Sequence, residues 1–462
     1  MFRLAALVIT MAVGIACSFC IKATAQVSPA DDASLAQEAS RREGDFVKRG
    51  FTVTQVVTPG GPKQFEFFVA RSDKEQVISL WFATVQGSVA IELRDPGRQP
   101  LMSWRGTRDE RHLERKLAPG RYVVDIQAIG GAHVHGVIGI KGWVVEPCDS
   151  DDNRLTEQPA DPPRYSWPYL LVKPIGLAAD APATARAGTL LVVPNNTGFP
   201  SEDTELLRAS AICELRFGGS AGPLAIADGL GAPLLMPLFP RPEQLYLQAL
   251  TRASLRRDVE PKFNRIDRQL MAMIDDASAK LASLNHPVQP SVLMAGFSAS
   301  GVFTNRFAVL HPERVLAAAV AGPGGWPIAP VQADQGRTLP YPVGISDLDT
   351  EELGGQPVDL AALRRVRFLF LLGAADTNDA VPCTDSFSAT EANLINSLFG
   401  MVGRNCGEAA EAVVKRWWPA QRLYNAAGLN ARFRLYPDVG HEMTPVMWND
   451  VLDTFRKALD AH

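Results

Sequence analysis

An excess of charge of one sign is missing from this chain. Its 46 Lys and Arg nearly balance 50 Asp and Glu, a formal net charge of −4, so electrostatics give no basis for a nucleic-acid partner. Cysteine is scarce too, six in 462 residues. Past the N-terminal leader no C-x-x-C pair remains, which removes the usual spacing for structural zinc and for dithiol redox chemistry. The leader itself carries the long apolar run, Leu4 to about Ile21, preceded by Arg3 and followed by the small-x-small site Ala23-Thr24-Ala25. This pattern predicts a secretory signal over 1–25, cleaved before Gln26; the alternative reading of the run is an uncleaved anchor. On the first reading the mature protein is secreted or periplasmic, with no stable membrane insertion. The oligomeric state is not readable.

Cleavage leaves Cys148, Cys213, Cys383 and Cys406. An even number in an exported chain suggests disulfides, and the expected pairs are Cys383–Cys406, across one insertion, and Cys148–Cys213, tying the domain junction to the C-terminal body. Four free buried thiols are the alternative.

What is present is an ordinary globular composition, 46% hydrophobic and 21% charged, in a chain long enough for two or three domains. A polar segment occupies 26–49. Short alternating runs such as "KQFEFFVA", "QVISLWFATV" and "GRYVVDIQAI", separated by turns such as "TPGGP" and "LAPG", then predict an antiparallel β-sandwich over 50–146. "LAPGRYVVDIQA" resembles the closing hairpin of the small jelly-roll modules attached to secreted bacterial hydrolases. No catalytic constellation is evident there; His133 and His135 share a strand face, but a third metal ligand is lacking. The acidic, proline-rich stretch 147–168 reads as a linker. From 169 to 462 the pattern changes, with apolar runs ("TLLVVP", "APLLMPLF", "SVLMAG", "VLAAAVAG", "RFLFLLG", "RFRLYP") alternating with amphipathic stretches. This alternation predicts a doubly wound, mostly parallel α/β sheet with ligands at the strand C-termini.

Two strings compete for a nucleophilic serine. "GGSAG" around Ser220 is the better match to G-x-S-x-G, yet a helical stretch leads into it and it reads as a capping serine. "GFSASG" follows the strand "SVLMAG" and opens a helix at once, so Ser298 would project from a strand-to-helix elbow, flanked by the small Gly296 and Ser300. The helix start then turns the Ala299 N–H toward a developing oxyanion. A serine needs a base, and the base an orienting acid. Downstream stand only His311, His441 and His462; His311 is too close along the chain, His462 is the last residue, and His441 follows the last strand. For the acid, "LLGAADTNDAVP" offers Asp376 in the first loop turn, with Asp379 as the alternative; each also reads as a loop-capping Asp.

With "GFSASG…HPERV", "LLGAADTNDAVP" and "YPDVGHEM" in order, the chain over roughly 165–462 resembles the α/β-hydrolase superfamily, nearest to its exported bacterial esterase and polyester-depolymerase-like branch. The resemblance implies Ser298 as nucleophile, Asp376 as acid and His441 as base. It also implies a second oxyanion donor from the loop after "TLLVV", which departs from the family's His-Gly spelling and offers the N–H of Asn196 or Thr197. "GPGGWPIAP" resembles a pocket-lining loop, with Trp326 able to stack on an acyl group or to sit at the core edge; Phe239 and Tyr246 are further pocket candidates. The expectation is a secreted serine hydrolase acting on small or polymeric esters, needing no metal or cofactor. A peptidase with the same triad, or a binding protein on a hydrolase scaffold, are the alternatives.

Overall fold

A computed structural model describes residues 29–48, 52–59, 63–69, 76–84, 87–95, 97–106, 111–130, 133–141, 144–145, 148, 152–175, 188–196, 201–216, 219–242, 250–256, 259–353, 355–383, 386–399 and 411–461. The leader, Thr197, Tyr246 and Cys406 lie outside these. Among the described residues no helix is long and apolar enough to cross a membrane. The chain divides into two compact units, the first drawn from Met1–Phe65, Val77–Lys116 and Val123–Lys141, the second from Glu66–Gln76, Leu117–Tyr122 and Gly142–His462.

The first unit opens with a helix, α1 (Pro29–Lys48), in the stretch expected to be merely polar. Its charges pair along the helix (Arg42 with Glu38 at 2.9 Å), while Ala39 and Phe46 turn inward to Trp81 and Val137. The strands over 52–141 are β1 (Thr52–Pro59), β2 (Lys63–Val69), β3 (Val77–Thr84), β4 (Ser88–Arg94), β5 (Pro100–Gly106), β6 (Arg111–Lys116), β7 (Gly120–Ile129) and β8 (His133–Lys141), of which β2 and β7 are divided between the two units and the rest belong to the first. An antiparallel sheet runs β1-β8-β3-β6, and β4 pairs antiparallel with β5 and β7. In β4 strict alternation buries Val89, Ile91 and Leu93 and leaves Glu92 and Arg94 outward, the pattern of a half-buried strand. These antiparallel pairings are those expected of the N-terminal region. His133 and His135 do share a face, and Asp32 Oδ1 meets both, at 3.4 and 2.9 Å. Those contacts hold the Asp32 carboxyl below its ordinary range. Among the described residues no group of three His, Cys, Asp or Glu is set to hold a metal ion.

The second unit holds β9 (Val144–Val145), β10 (Leu155–Gln158), β11 (Tyr169–Val172), β12 (Leu191–Val192), α2 (Thr204–Arg216), α3 (Pro223–Leu230), β13 (Leu234–Pro237), α4 (Arg252–Arg256), α5 (Ile266–Ser283), β14 (Val292–Phe297), α6 (Ala299–Leu310) and β15 (Val315–Ala321). A small hairpin, β16 (Ala333–Asp334) and β17 (Arg337–Thr338), precedes α7 (Leu360–Arg365), β18 (Arg367–Gly373), α8 (Ala380–Cys383), α9 (Ala389–Phe399), α10 (Glu411–Ala426), β19 (Ala431–Tyr436) and α11 (Pro445–Asp460). An eight-stranded sheet has the order β10-β11-β13-β12-β14-β15-β18-β19. The two pairings at its β10 end are antiparallel and the rest parallel, so the mostly parallel sheet expected from the apolar runs is present. Successive side chains feed two cores. Val292 and Met294 join Leu270, Phe303, Phe307 and Tyr424, whereas Leu293 and Ala295 join Ile212, Ile226, Val451 and Phe455. Helices therefore cover both faces, which is why the strands read as unbroken apolar runs.

One stretch departs from its sequence reading. The 147–168 segment, read as a linker, contributes β10, whose Leu155–Gln158 pair with Val172–Tyr169. Its prolines, at 147, 159, 162, 163 and 168, all fall outside the strand, so they interrupt none of its ladder bonds.

Cys148 and Cys213 form a disulfide with Cα atoms 5.0 Å apart, closing a separation of 65 residues. The expected Cys383–Cys406 pair falls outside the described residues. Reduction should lower stability by about 2–4 kcal/mol, because the crosslink restricts the unfolded chain. Unreduced digests should contain one crosslinked peptide pair carrying Cys148 and Cys213; alkylation of both without reductant would refute it.

Candidate active site

Parallel strands ending together leave their C-terminal loops in one place, and three of those loops converge here. β14 ends at Phe297 and α6 begins at Ala299, so the one residue between them makes the whole turn. Ser298 takes φ 58° and ψ −119°, a backbone conformation costly for a residue with a Cβ. Several bonds hold it there. Ser298 N–H donates to Ala321 O at 2.9 Å and Val302 N–H to Ser298 O at 3.0 Å. Ser300, standing where a second glycine is usual, closes the turn with its hydroxyl, 2.9 Å from both Phe297 N and Phe297 O. Two glycines are required by close approach: a Cβ on Gly296 would strike the Ser300 carbonyl, and one on Gly301 would lie 2.5 Å from Ala321 O. Gly296→Ala should therefore cost about 1–3 kcal/mol and displace the turn. A urea midpoint and a rate of reaction with a serine-directed probe both equal to those of the parent would refute this.

His441 comes from the loop after β19 and Asp376 from the loop after β18. His441 Nε2 lies 2.8 Å from Ser298 Oγ, and His441 Nδ1 lies 2.9 Å from Asp376 Oδ2. The Asp376 side chain is 2% exposed and that of His441 24%, so the carboxylate is shut away from water while the imidazole edge stays open. The Phe297 ring packs on the imidazole, 4.6 Å between centroids. Ala299 is the first residue of α6, where a backbone N–H has no partner within the helix.

Of the alternative acids and serines, neither reaches this corner. Asp379 is no simple loop cap; besides accepting from Val381 N–H, it forms a two-pronged ion pair with Arg416 at 2.8 and 2.7 Å, with side chains 5% and 1% exposed. Ser220 is exposed in a single 3₁₀ turn, and the N-cap of α3 is Gly222, so Ser220 does not cap that helix either.

The pocket residues need correction. Trp326 is 2% exposed, stacks on Phe399 and donates its indole N–H to Val343 O at 3.0 Å. Phe239 is fully buried beside Phe303. Both are core side chains, because the loops that carry them fold inward to bury apolar area. Tyr246 lies outside the described residues. The loop after β12 is likewise different from its expected use: Asn196 N–H donates to Glu214 Oε2 at 2.7 Å, its amide donates to Phe297 O at 3.0 Å, and Asn195 binds both backbone groups of Phe239. The N–H considered for an oxyanion is thus engaged by a carboxyl. Burial pushes the Glu214 carboxyl up to about 7, opposed by that N–H.

Glu214, Asn378 and Arg416 do not stand out in the sequence reading. Glu214 has a signal, since it continues the inward stripe of Leu207 and Ala211 on α2. A cavity of about 270 Å³ borders Asn196, Glu214, Phe297, Ser300 and Trp448. Asn378 has no signal. Its side chain lies 2.8 Å from His441 Nε2.

No family model matches the chain, and no curated protein does. Among solved structures, the chain is similar to a poly(aspartic acid) hydrolase-1 from Sphingomonas sp. KT-1, at 16% identity over 67% of this chain and 98% of that one, TM-score 0.41. It is similar to a poly(3-hydroxybutyrate) depolymerase from Bordetella parapertussis, at 16% identity over 66% and 87% of the two chains, TM-score 0.38. A thermostable esterase is similar at 13% identity over 88% and 93%, TM-score 0.37.

Proposed function

We propose that the chain is a serine hydrolase of the α/β-hydrolase type that cleaves carboxylic esters through an acyl-serine intermediate. The observation that carries this reading is the continuous pair of contacts Ser298 Oγ to His441 Nε2 and His441 Nδ1 to Asp376 Oδ2, 2.8 and 2.9 Å. The buried Asp376 carboxylate accepts a hydrogen bond from Nδ1–H, which keeps the proton on Nδ1 and leaves the Nε2 lone pair toward the serine. Ser298 attacks the ester carbonyl as its proton passes to Nε2, and the alcohol departs with that proton. Water then attacks the acyl carbon as it gives a proton to Nε2, the bond from the acyl carbon to Ser298 Oγ breaks, and Nε2 returns that proton to Oγ as the acid leaves. The Ala299 N–H at the start of α6 supports the oxyanion, helped by the helix dipole. Of the two candidates for a second donor, Asn196 donates its N–H to Glu214, and Thr197 lies outside the described residues. These steps need proton transfer and fixed N–H donors, which side chains and backbone supply.

The substrate class is an ester, small or polymeric. The N-terminal 50–146 is assigned as an accessory β-sandwich and 169–462 as the catalytic domain. Export follows from the leader, and the Cys148–Cys213 disulfide suits an oxidising compartment. The test is reaction of the purified chain with a fluorophosphonate followed by peptide mapping, beside a panel of acyl chain lengths and a polyester film. Adduct on Ser298 with ester turnover is expected. Turnover of amides with none of short esters would replace the esterase by a peptidase, and absence of any adduct would remove the catalytic reading.

A further inference from the structure

Asn378 stands two residues beyond Asp376. Its backbone N–H donates to Asp376 Oδ1 at 2.8 Å, and its exposed carboxamide reaches back, Nδ2 lying 2.8 Å from His441 Nε2 and 3.5 Å from Ser298 Oγ. A neutral imidazole has one lone pair in its plane. With Nδ1–H directed at Asp376, that lone pair is on Nε2, so the carboxamide must present its NH2 there; its oxygen would face the lone pair and be repelled. Ser298 Oγ, also 2.8 Å away, seeks the same lone pair. Two donors therefore share one acceptor in the resting enzyme.

That sharing ends when chemistry begins. Once Nε2 has taken the Ser298 proton it is itself an N–H, and two N–H groups would confront each other at hydrogen-bond distance. The Asn378 NH2 must find another acceptor. An ester's departing oxygen has to come within hydrogen-bond reach of Nε2–H to collect its proton, and a group beside Nε2 is then beside that oxygen too.

Resting on the serine-hydrolase reading above, we propose that Asn378 is a further catalytic residue, whose carboxamide passes its hydrogen bond from His441 to the leaving-group oxygen of the ester. In that step the bond from the acyl carbon to the leaving oxygen breaks and its electron pair goes to the oxygen. His441 Nε2 returns the proton it took from Ser298, and Asn378 transfers none. The hydrogen bond matters most where the oxygen carries most charge, in alkyl esters, and least for p-nitrophenyl esters, whose aryl oxide is stable alone.

The experiment compares the full chain with Asn378→Ala and Asn378→Asp on ethyl and p-nitrophenyl esters of one acid, with circular dichroism confirming the fold. Asn378→Ala should lower kcat/KM about 10- to 100-fold on the ethyl ester and less than about 3-fold on the p-nitrophenyl ester. Asn378→Asp should lose at least as much on the ethyl ester, because a carboxylate repels the developing alkoxide. Fluorophosphonate, which expels fluoride, should react with Asn378→Ala within about 3-fold of the parent rate. Equal losses on the two esters, or a matching loss with fluorophosphonate, would overturn the proposal, since a residue that only holds His441 slows every attack alike. A parent chain inert to fluorophosphonate would instead overturn the serine-hydrolase reading beneath it.

Discussion

Ser298→Ala should lower ester turnover by on the order of 10⁴ to 10⁶. The size follows from what the elbow does. A φ of 58° at Ser298, a neighbouring hydroxyl closing the turn, and His441 Nε2 at 2.8 Å all aim one oxygen, and alanine removes that oxygen while keeping the backbone. The remaining groups, Ala299 N–H and the imidazole, can still polarise a bound ester but cannot form the acyl-enzyme, which leaves the small residual rate of a water-dependent reaction. Ser220→Ala is the matched control: it sits exposed in a 3₁₀ turn before α3, and turnover should stay near that of the parent. A severe loss at Ser220 beside a mild one at Ser298 would reverse the assignment. Turnover at saturating ester per mole of protein, with circular dichroism confirming that each variant is folded, is the measurement.

Asp376→Asn should lower turnover by up to about 10⁴-fold with the fold intact. The carboxylate Oδ2 lies 2.9 Å from His441 Nδ1 and is buried, so its charge is little screened. An amide placed there can donate its own N–H to Nδ1, which puts the imidazole proton on Nε2 and leaves no lone pair for the serine. Asp379→Asn should behave in the opposite manner. Its place in a loop turn would suggest only a local hydrogen bond to lose; the structure requires more, because Asp379 neutralises a buried Arg416 through two bonds of 2.8 and 2.7 Å. Weakening that pair should cost about 3–5 kcal/mol, a large share of a domain's 5–15 kcal/mol. Turnover per titrated active site should remain within about tenfold of the parent, while the urea midpoint falls. If Asp379→Asn instead lost turnover at unchanged stability and Asp376→Asn did the reverse, the acid would be Asp379.

Local chemistry alone determines a good deal of this protein. The unbroken apolar runs at 291–296, 315–322 and 367–373 are strands buried on both faces, and only a sheet with helices on each side can bury them so. The adjacency of strand, tight turn and helix around Ser298 is likewise legible, because backbone conformation at a turn depends on the few residues that make it. His441 is the candidate base by elimination among the three histidines downstream of Ser298. Tertiary structure decides the remainder. Asp376 and Asp379 lie three residues apart in the same loop and differ only in what stands opposite: His441 for one, Arg416 from α10 for the other. No local pattern reports a partner 37 residues away. For the same reason Trp326 and Phe239 look available from their loops but are enclosed by Phe399 and Phe303, and Asn196 looks like a free donor until Glu214 reaches it from α2. Sequence carries the conformation of each segment. The direction a loop side chain faces is set by long-range packing, which only the assembled chain contains.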